Sequence, residues 1–327
     1  MHPKISFWRF CRIPPCCWPM NRSGKIHALL STARVANIPS VVSNVWLGMV
    51  LGMFTADAVI LEIPWDIASR LALAGVALYV AGNFLNDWMD RGWDASRRPE
   101  RALPRGLFAP GVYLGLAAAL GLLGTCLAVC VNTRCALLAG IIVVSICIYT
   151  RYHKRSSWAV IPMGLCRAML PVMGFAAFYP DLNLVLPAAV GLFCYIIGLS
   201  LTARHESMAE PPRHMVMMAR ALLLATAILM AWQHKGFQPG MLIVCAGTLP
   251  YLVWTSFCLR FRKKPISALV SGLLAGIPWV DGIVLLPIFL SLARDGAGST
   301  GGGIACLGVP VFAFVSGLLL QRLAPAT

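Results

Sequence analysis

The run NFLNDWMDRGWD at residues 83–94, continued by the basic segment RRPERALPRG at 97–106, decides how the rest of the chain is read. Asn83, Asp87, Asp90 and Asp94 recur at offsets of four, three and four residues. At roughly 100° per residue, a helix brings these four within about 60° of one another, with Asn86 at the edge of the same face. The stretch before them is apolar, so the pattern predicts a stripe of carboxylates and amides at the end of an apolar helix. In or near a membrane such a stripe is costly unless something cationic binds to it. Carboxylates with amide oxygens beside them suit Mg²⁺, a hard ion that takes oxygen ligands and often shares its sites with phosphates. The arginines that follow would meet the anion carried by such a metal.

Composition sets the surroundings of this stripe. Hydrophobic residues make up 59% of the 327, and charged residues only 12%. A soluble domain averages about 25% charged residues, so the chain is a polytopic membrane protein. The net charge of +15 does not form one patch, which argues against nucleic acid as a partner. The basic residues cluster in short segments between long apolar runs, the pattern of the positive-inside rule. Spans of about 20 residues fall near 36–56, 69–89, 109–131, 134–150, 158–179, 183–203, 217–234, 239–259, 266–291 and 303–321. The last two are separated by the flexible linker AGSTGGG at 297–303. With the N-terminus inside, 22 of the 27 Lys and Arg lie in the tail, in the loops that alternate with it, or at Arg322. The aspartate stripe then faces the cytoplasm. Residues 1–34 carry Lys4, Arg9, Arg12, Arg22, Lys25 and Arg34 and no acid. They hold no apolar run long enough for a signal peptide and are expected to be a cytoplasmic tail or interfacial segment, with Met20 an alternative start. Twelve cysteines are scattered with no CxxC pair, which marks them as small buried hydrophobes rather than metal ligands.

The motif Asn86-Asp87-x-x-Asp90-x-x-x-Asp94, followed by Arg-rich sequence ending Leu103-Pro104-x-Gly106, resembles the first aspartate motif of the UbiA superfamily of intramembrane prenyltransferases. The resemblance covers roughly residues 34–291. The segments GLCR at 164–167 and LTARHE at 201–206, with RPER at 98–101, are similar to the divergent EboC-like branch. It implies an all-α integral membrane bundle of nine transmembrane helices, here with a tenth at the C-terminus. The expected organisation is a basic tail over 1–34, the transmembrane domain over 35–295, and the Gly-rich linker and extra helix over 296–327. Family membership also implies transfer of an isoprenyl group from a prenyl diphosphate to an aromatic or other lipophilic acceptor, in a bacterial inner membrane. Mg²⁺ would be held by Asn86, Asp87, Asp90 and Asp94, with catalysis resting on the three aspartates and Arg167. Asn83, Arg98, Arg101, Tyr152 and Lys154 would bind the diphosphate.

Four further segments leave alternatives open. The second loop, LSLTARHESMAEPPRH at 199–214, lacks the second aspartate motif that the family normally carries there. Glu206 either helps hold a second metal or orients the acceptor, or else belongs to an ordinary charged loop with Glu210, which is followed by two prolines. The departure also allows a cyclase or diphosphate lyase without an acceptor, or a non-catalytic carrier of an isoprenoid-like metabolite. YTRYHKR at 149–155 resembles the family's Tyr/Lys-Arg segment, although charge of this kind also arises from orientation alone. Arg167 lies about ten residues into its span, too deep to snorkel. It needs a bound anion or a buried acid, and Asp281 is the candidate partner. NIPSVVSN at 37–44 opens the first span in the family's Arg-x-x-Asn-x-Pro manner. Its Asn44 either reaches the cavity or makes a helix–helix hydrogen bond.

Overall fold

A computed structural model describes residues 22–56, 62–204, 212–236, 240–294, 296, 298 and 300–323. Among these every long element is a helix. They are α1 (Arg22–Thr32), α2 (Ile38–Thr55), α3 (Trp65–Arg97), α4 (Pro110–Val129), α5 (Thr133–Tyr152) and α6 (Val160–Ala176), followed by α7 (Leu186–Arg204), α8 (Arg213–Trp232), α9 (Met241–Phe261), α10 (Ile266–Ala275), α11 (Ile277–Arg294) and α12 (Gly301–Leu323). Among the described residues ten segments are long and apolar enough to cross a membrane, the number of spans that hydropathy predicts, and the chain is an integral membrane bundle.

The ninth span is not one helix. It breaks at Gly276 between α10 and α11. Pro278, at the second position of α11, has no N–H to continue the ladder from α10. A side chain on Gly276 would press on the Trp254 ring, whose Nε1 instead donates to the Gly272 carbonyl at 2.9 Å. Helix α3 departs from expectation in the other direction. It runs unbroken for 33 residues, about 50 Å at 1.5 Å per residue, against a hydrocarbon core of about 30 Å. The aspartate stripe therefore lies on a continuous helix that outreaches the membrane.

Helices α2 and α6 and the ninth span are the most deeply buried, while α4, α8, α9 and α12 turn apolar side chains such as Leu122, Leu224, Leu249 and Phe312 outward. Apolar groups on that outer face meet lipid, where they cost nothing. Helix α2 crosses α6 at backbone contact. A Cβ on Gly48 would overlap the Pro171 carbonyl, and one on Gly174 would overlap that of Val45. Small residues at such a crossing are the usual means of close approach between membrane helices. Helix α12 covers the α2/α11 side of the bundle, with Trp46 Nε1 on the Cys306 carbonyl at 3.4 Å and the Phe314 ring 5.0 Å from that of Trp279.

Interior polar groups are paired across helices. The Tyr195 hydroxyl donates to the Leu273 carbonyl at 2.7 Å, and the Tyr251 hydroxyl to that of Leu223 at 2.6 Å. Tyr195→Phe removes one such bond and is expected to cost about 1 kcal/mol. A thermal melt of the detergent-purified protein should show a drop of a few degrees with no change in elution profile.

Candidate functional site

The stripe on α3 is built as its spacing demands. Asn83, Asn86, Asp90 and Asp94 are buried, and Asp87 sits at the edge of the same face. Two loops bring cations onto it. The turn after α3 curls back on itself through Arg105 N–H to the Arg101 carbonyl at 3.1 Å and Gly106 N–H to that of Leu103 at 2.9 Å. Gly106 has a φ of 68°, a conformation that costs glycine nothing. Leu103 packs on the cluster of Phe84, Tyr113 and Ala117, and this anchors the turn. Arg101 is thereby held over the stripe, 3.2 Å from Asp87 and 2.8 Å from Asp94.

The second loop joins α5 to α6. Its His153 Nε2 lies 3.0 Å from Asp90 Oδ2 and its Lys154 Nζ 3.4 Å from the same oxygen. The Lys154 ammonium also sits 3.7 Å from the centroid of the Trp93 ring, one turn further along α3. His153 stacks on Tyr149 with ring centroids 4.9 Å apart. Arg204, at the end of α7, pins this loop by donating to the carbonyls of His153 at 3.3 Å and Ser156 at 3.2 Å.

A third cation comes from the entry to α2. Arg34 adopts the left-handed conformation with φ 48°, which a residue with a side chain enters only under constraint. The constraint is visible: Asn83 Nδ2 donates to the neighbouring Ala33 carbonyl at 3.1 Å. Burial works against the Arg34 charge, but Tyr79, Asp87, Tyr149 and Asp90 raise its pKa on balance. The site thus alternates acids and bases, with Asp87, Asp90 and Asp94 set against Arg34, Arg101, His153 and Lys154.

The residues named from sequence divide accordingly. Asn86, Asp87, Asp90, Asp94, Arg101 and Lys154 come together. Asn83 is on the same face, but its amide is spent on holding the Ala33 carbonyl. Arg98 is exposed and makes no side-chain hydrogen bond or ion pair among the described residues. Tyr152 is also exposed, its ring 5.3 Å from that of Trp158; Tyr149 and His153 take the inward positions on that turn. Glu206 and Glu210 lie outside the described residues. Arg167 is buried away from the carboxylates, with its Nη1 donating to Asn44 Oδ1 at 2.9 Å and its guanidinium 5.3 Å from the centroid of Tyr79. Its link to Asp281 runs through Asn44 rather than directly, because Asn44 Nδ2 donates to both Asp281 oxygens at 2.9 Å. Arg34 and His153 were not singled out by the sequence. The only signal for Arg34 was the Arg-x-x-Asn-x-Pro pattern, where it stands first.

The donor set fits a hard divalent cation. The stripe offers only oxygen atoms, and two of them, Asn86 Oδ1 and Asp94 Oδ1, are buried with no hydrogen-bond partner. Buried oxygens without a partner are rare in native proteins and mark a missing ligand or water. Among the described residues no three His, Cys, Asp or Glu side chains converge on one point; the protein's own cations hold the carboxylates instead.

Fold and site together describe a membrane-embedded helical bundle in which the polar end of α3 presents acids and bases in alternation. The chain belongs to the UbiA prenyltransferase family, which matches residues 45–295, so that α12 lies beyond the matched part. Its relatives include the protoheme IX farnesyltransferase of Aeromonas salmonicida, 37% identical over 145 residues, which are 42% of this chain and 48% of that protein. The digeranylgeranylglyceryl phosphate synthase of Ignicoccus hospitalis is 30% identical over 138 residues, 42% of each chain. With these two, the chain matches about half or less of the relative's length. The apo structure of a UbiA homolog from Aeropyrum pernix K1 superposes with a TM-score of 0.54 at 16% identity, over 88% of this chain and 98% of that one. At that identity the likeness is one of fold.

Proposed function

We propose that this chain is an intramembrane, Mg²⁺-dependent prenyltransferase that moves an isoprenyl group from a prenyl diphosphate to a lipophilic acceptor. The observation that carries the reading is the interleaving of Asp87, Asp90 and Asp94 with Arg101, His153, Lys154 and Arg34 at the polar end of α3. Neither the acids nor the bases alone suit a metal diphosphate; the mixture suits both its cation and its anion. Asn86, Asp87, Asp90 and Asp94 would hold Mg²⁺, which supplies charge neutralisation of the leaving diphosphate. Arg101 and Lys154, released from the carboxylates, turn to the phosphate oxygens, with Arg98 at the rim. Arg34 and His153 add donors from the third side. As the C–O bond lengthens, negative charge builds on the diphosphate, and fixed cations stabilise it most at that stage. Apolar side chains of the surrounding bundle would keep water from the allylic cation. The acceptor attacks at C1 and loses a proton.

Residues 35–295 form the transferase unit in this reading, with 1–34 and 296–327 as additions. The membrane is a bacterial inner membrane and the carboxylates face the cytoplasm, a view supported by the distribution of Lys and Arg. The relatives differ in acceptor by name, so the acceptor is not carried over from them.

The test is release of inorganic diphosphate by the full chain from geranyl, farnesyl and geranylgeranyl diphosphates, with and without Mg²⁺ and with membrane extract as acceptor source. Mg²⁺-dependent release with a prenylated product is expected. Release with only cyclic or free hydrocarbon would make the protein a lyase. Mg²⁺-dependent binding without any release would make it a carrier.

A further inference from the structure

Below the carboxylates lies a second polar cluster, made by three helices that are far apart in sequence. Asp281 of α11 accepts from Ser43 Oγ and from Asn44 Nδ2, both on α2. Asn44 in turn accepts from Arg167 of α6. The amide orientation follows from chemistry alone: a carboxylate only accepts and a guanidinium only donates. Asn44 therefore passes the Asp281 charge to Arg167. Asn44 and Asp281 are fully buried, and Arg167 is 8% exposed.

Two features of this cluster point to a ligand. The first is unspent capacity. A guanidinium carries several N–H donors in a planar fork, and the bond to Asn44 is the one it makes among the described residues. None of its other nitrogens is among the fully buried atoms that lack a partner, so they keep some accessible surface. The second is position. Tyr79, over which Arg167 lies, precedes Asp87 by eight residues on α3, about 12 Å along the axis. A diphosphate held at Asp87–Asp94 has its charge met there by other cations, and Arg167 faces what lies deeper.

We infer that Arg167, aligned by Asn44 and Asp281, is a specificity-determining residue that binds a neutral oxygen, a carbonyl or phenol, of the lipophilic acceptor. Charge balance selects that class. With Asp281 ionised, its charge offsets Arg167 across Asn44, so an anionic ligand would leave a net negative charge at membrane depth, which is expensive. A neutral oxygen completes the unpaired donors and adds no charge. The inference rests on the prenyl-transfer reading for its acceptor, but its test does not depend on turnover.

The experiment measures binding to the full chain in detergent of four probes of matched tail: para-octylphenol, para-octylacetophenone, para-octylbenzoate and octylbenzene. Farnesyl diphosphate with Mg²⁺ is measured beside them in the wild type, Arg167→Gln and Arg167→Lys. The wild type is expected to hold the phenol and ketone more tightly than the hydrocarbon and the benzoate. Arg167→Gln should weaken both by about tenfold, the size of a lost bond to a charged donor, with farnesyl diphosphate affinity unchanged. Should that variant not fold, Arg167→Lys decides. Its compact ammonium lacks the planar fork that serves Asn44 and a ligand in two directions, so the same loss is expected. Equal loss of probe and diphosphate binding in a folded variant would return Arg167 to the diphosphate site and overturn the inference. So would tighter binding of the benzoate. Absence of any preference for the oxygen-bearing probes would leave water as the partner and overturn it too. Failure of farnesyl diphosphate to bind the wild type would instead count against the transferase reading, with the probe comparison still standing.

Discussion

Asp90→Asn is expected to lower Mg²⁺-dependent farnesyl diphosphate binding and diphosphate release by at least about 100-fold if the proposed site is right, a loss of the size seen when one charge-stabilising group is removed from an active site. The change keeps the shape of the side chain and removes its charge. Asp90 is the point at which the α5–α6 loop meets α3, through His153 at 3.0 Å and Lys154 at 3.4 Å. Removing one partner of a buried pair usually harms folding as well. Here the Lys154 side chain remains 35% exposed and can turn to water, so the variant should purify with a normal elution profile. Asp87→Asn is expected to behave alike. In Asp94→Asn, Arg101 keeps Asp87 as a partner, so the fold is held more firmly while the oxygens proposed to hold the metal are reduced. Full retention of diphosphate binding in a folded Asp90→Asn protein would refute the site assignment.

Gly48→Ala is expected to destabilise the bundle by about 3 kcal/mol, at the upper end for overpacking, although it adds one methyl group and improves helix propensity. The methyl has nowhere to go. It meets the Pro171 carbonyl of α6, a backbone atom that cannot rotate aside. Relief comes only if α2 and α6 move apart, and that parts Asn44 from Arg167. Gly121→Ala on the outer face of α4, where a Cβ meets nothing within 4 Å, is the matched control and should be neutral or slightly stabilising. Melting both in detergent tests the contrast. Equal midpoints would mean that α2 and α6 do not touch as described.

What the sequence revealed and what it hid follow from the range of each interaction. Spans are local properties, so hydropathy marks all ten, and the 3.6-residue period puts Asp87, Asp90 and Asp94 on one face before any packing is known. Arg34 escaped because a site cation and an orientation-setting cation have the same composition, and His153 because it stands in a basic run; only contact with α3 separates them. Tyr152 and Tyr149 are three residues apart, and which one turns inward depends on where α6 begins. The pairing of Arg167 with Asp281 was half legible. Each is an isolated charge in an apolar span, so each needs a partner, but Asn44 between them is an ordinary helix residue until three helices meet. The division of the ninth span at Gly276 was masked by the apolar sequence on both sides of it.

The length of α3 governs what concentration means to this protein. A helix that outreaches the hydrocarbon by several turns carries its charged residues into the headgroup layer, while the bundle below stays in oil. A long-tailed diphosphate is an amphiphile that dissolves in the same two layers in the same order. As the proposed donor, it would reach the stripe by diffusing in the plane of the bilayer, already oriented, with its supply set by mole fraction among lipids. In micelles the apparent KM for such a donor should therefore rise in proportion to added detergent at fixed bulk substrate, a surface-dilution effect that short, water-soluble diphosphates escape.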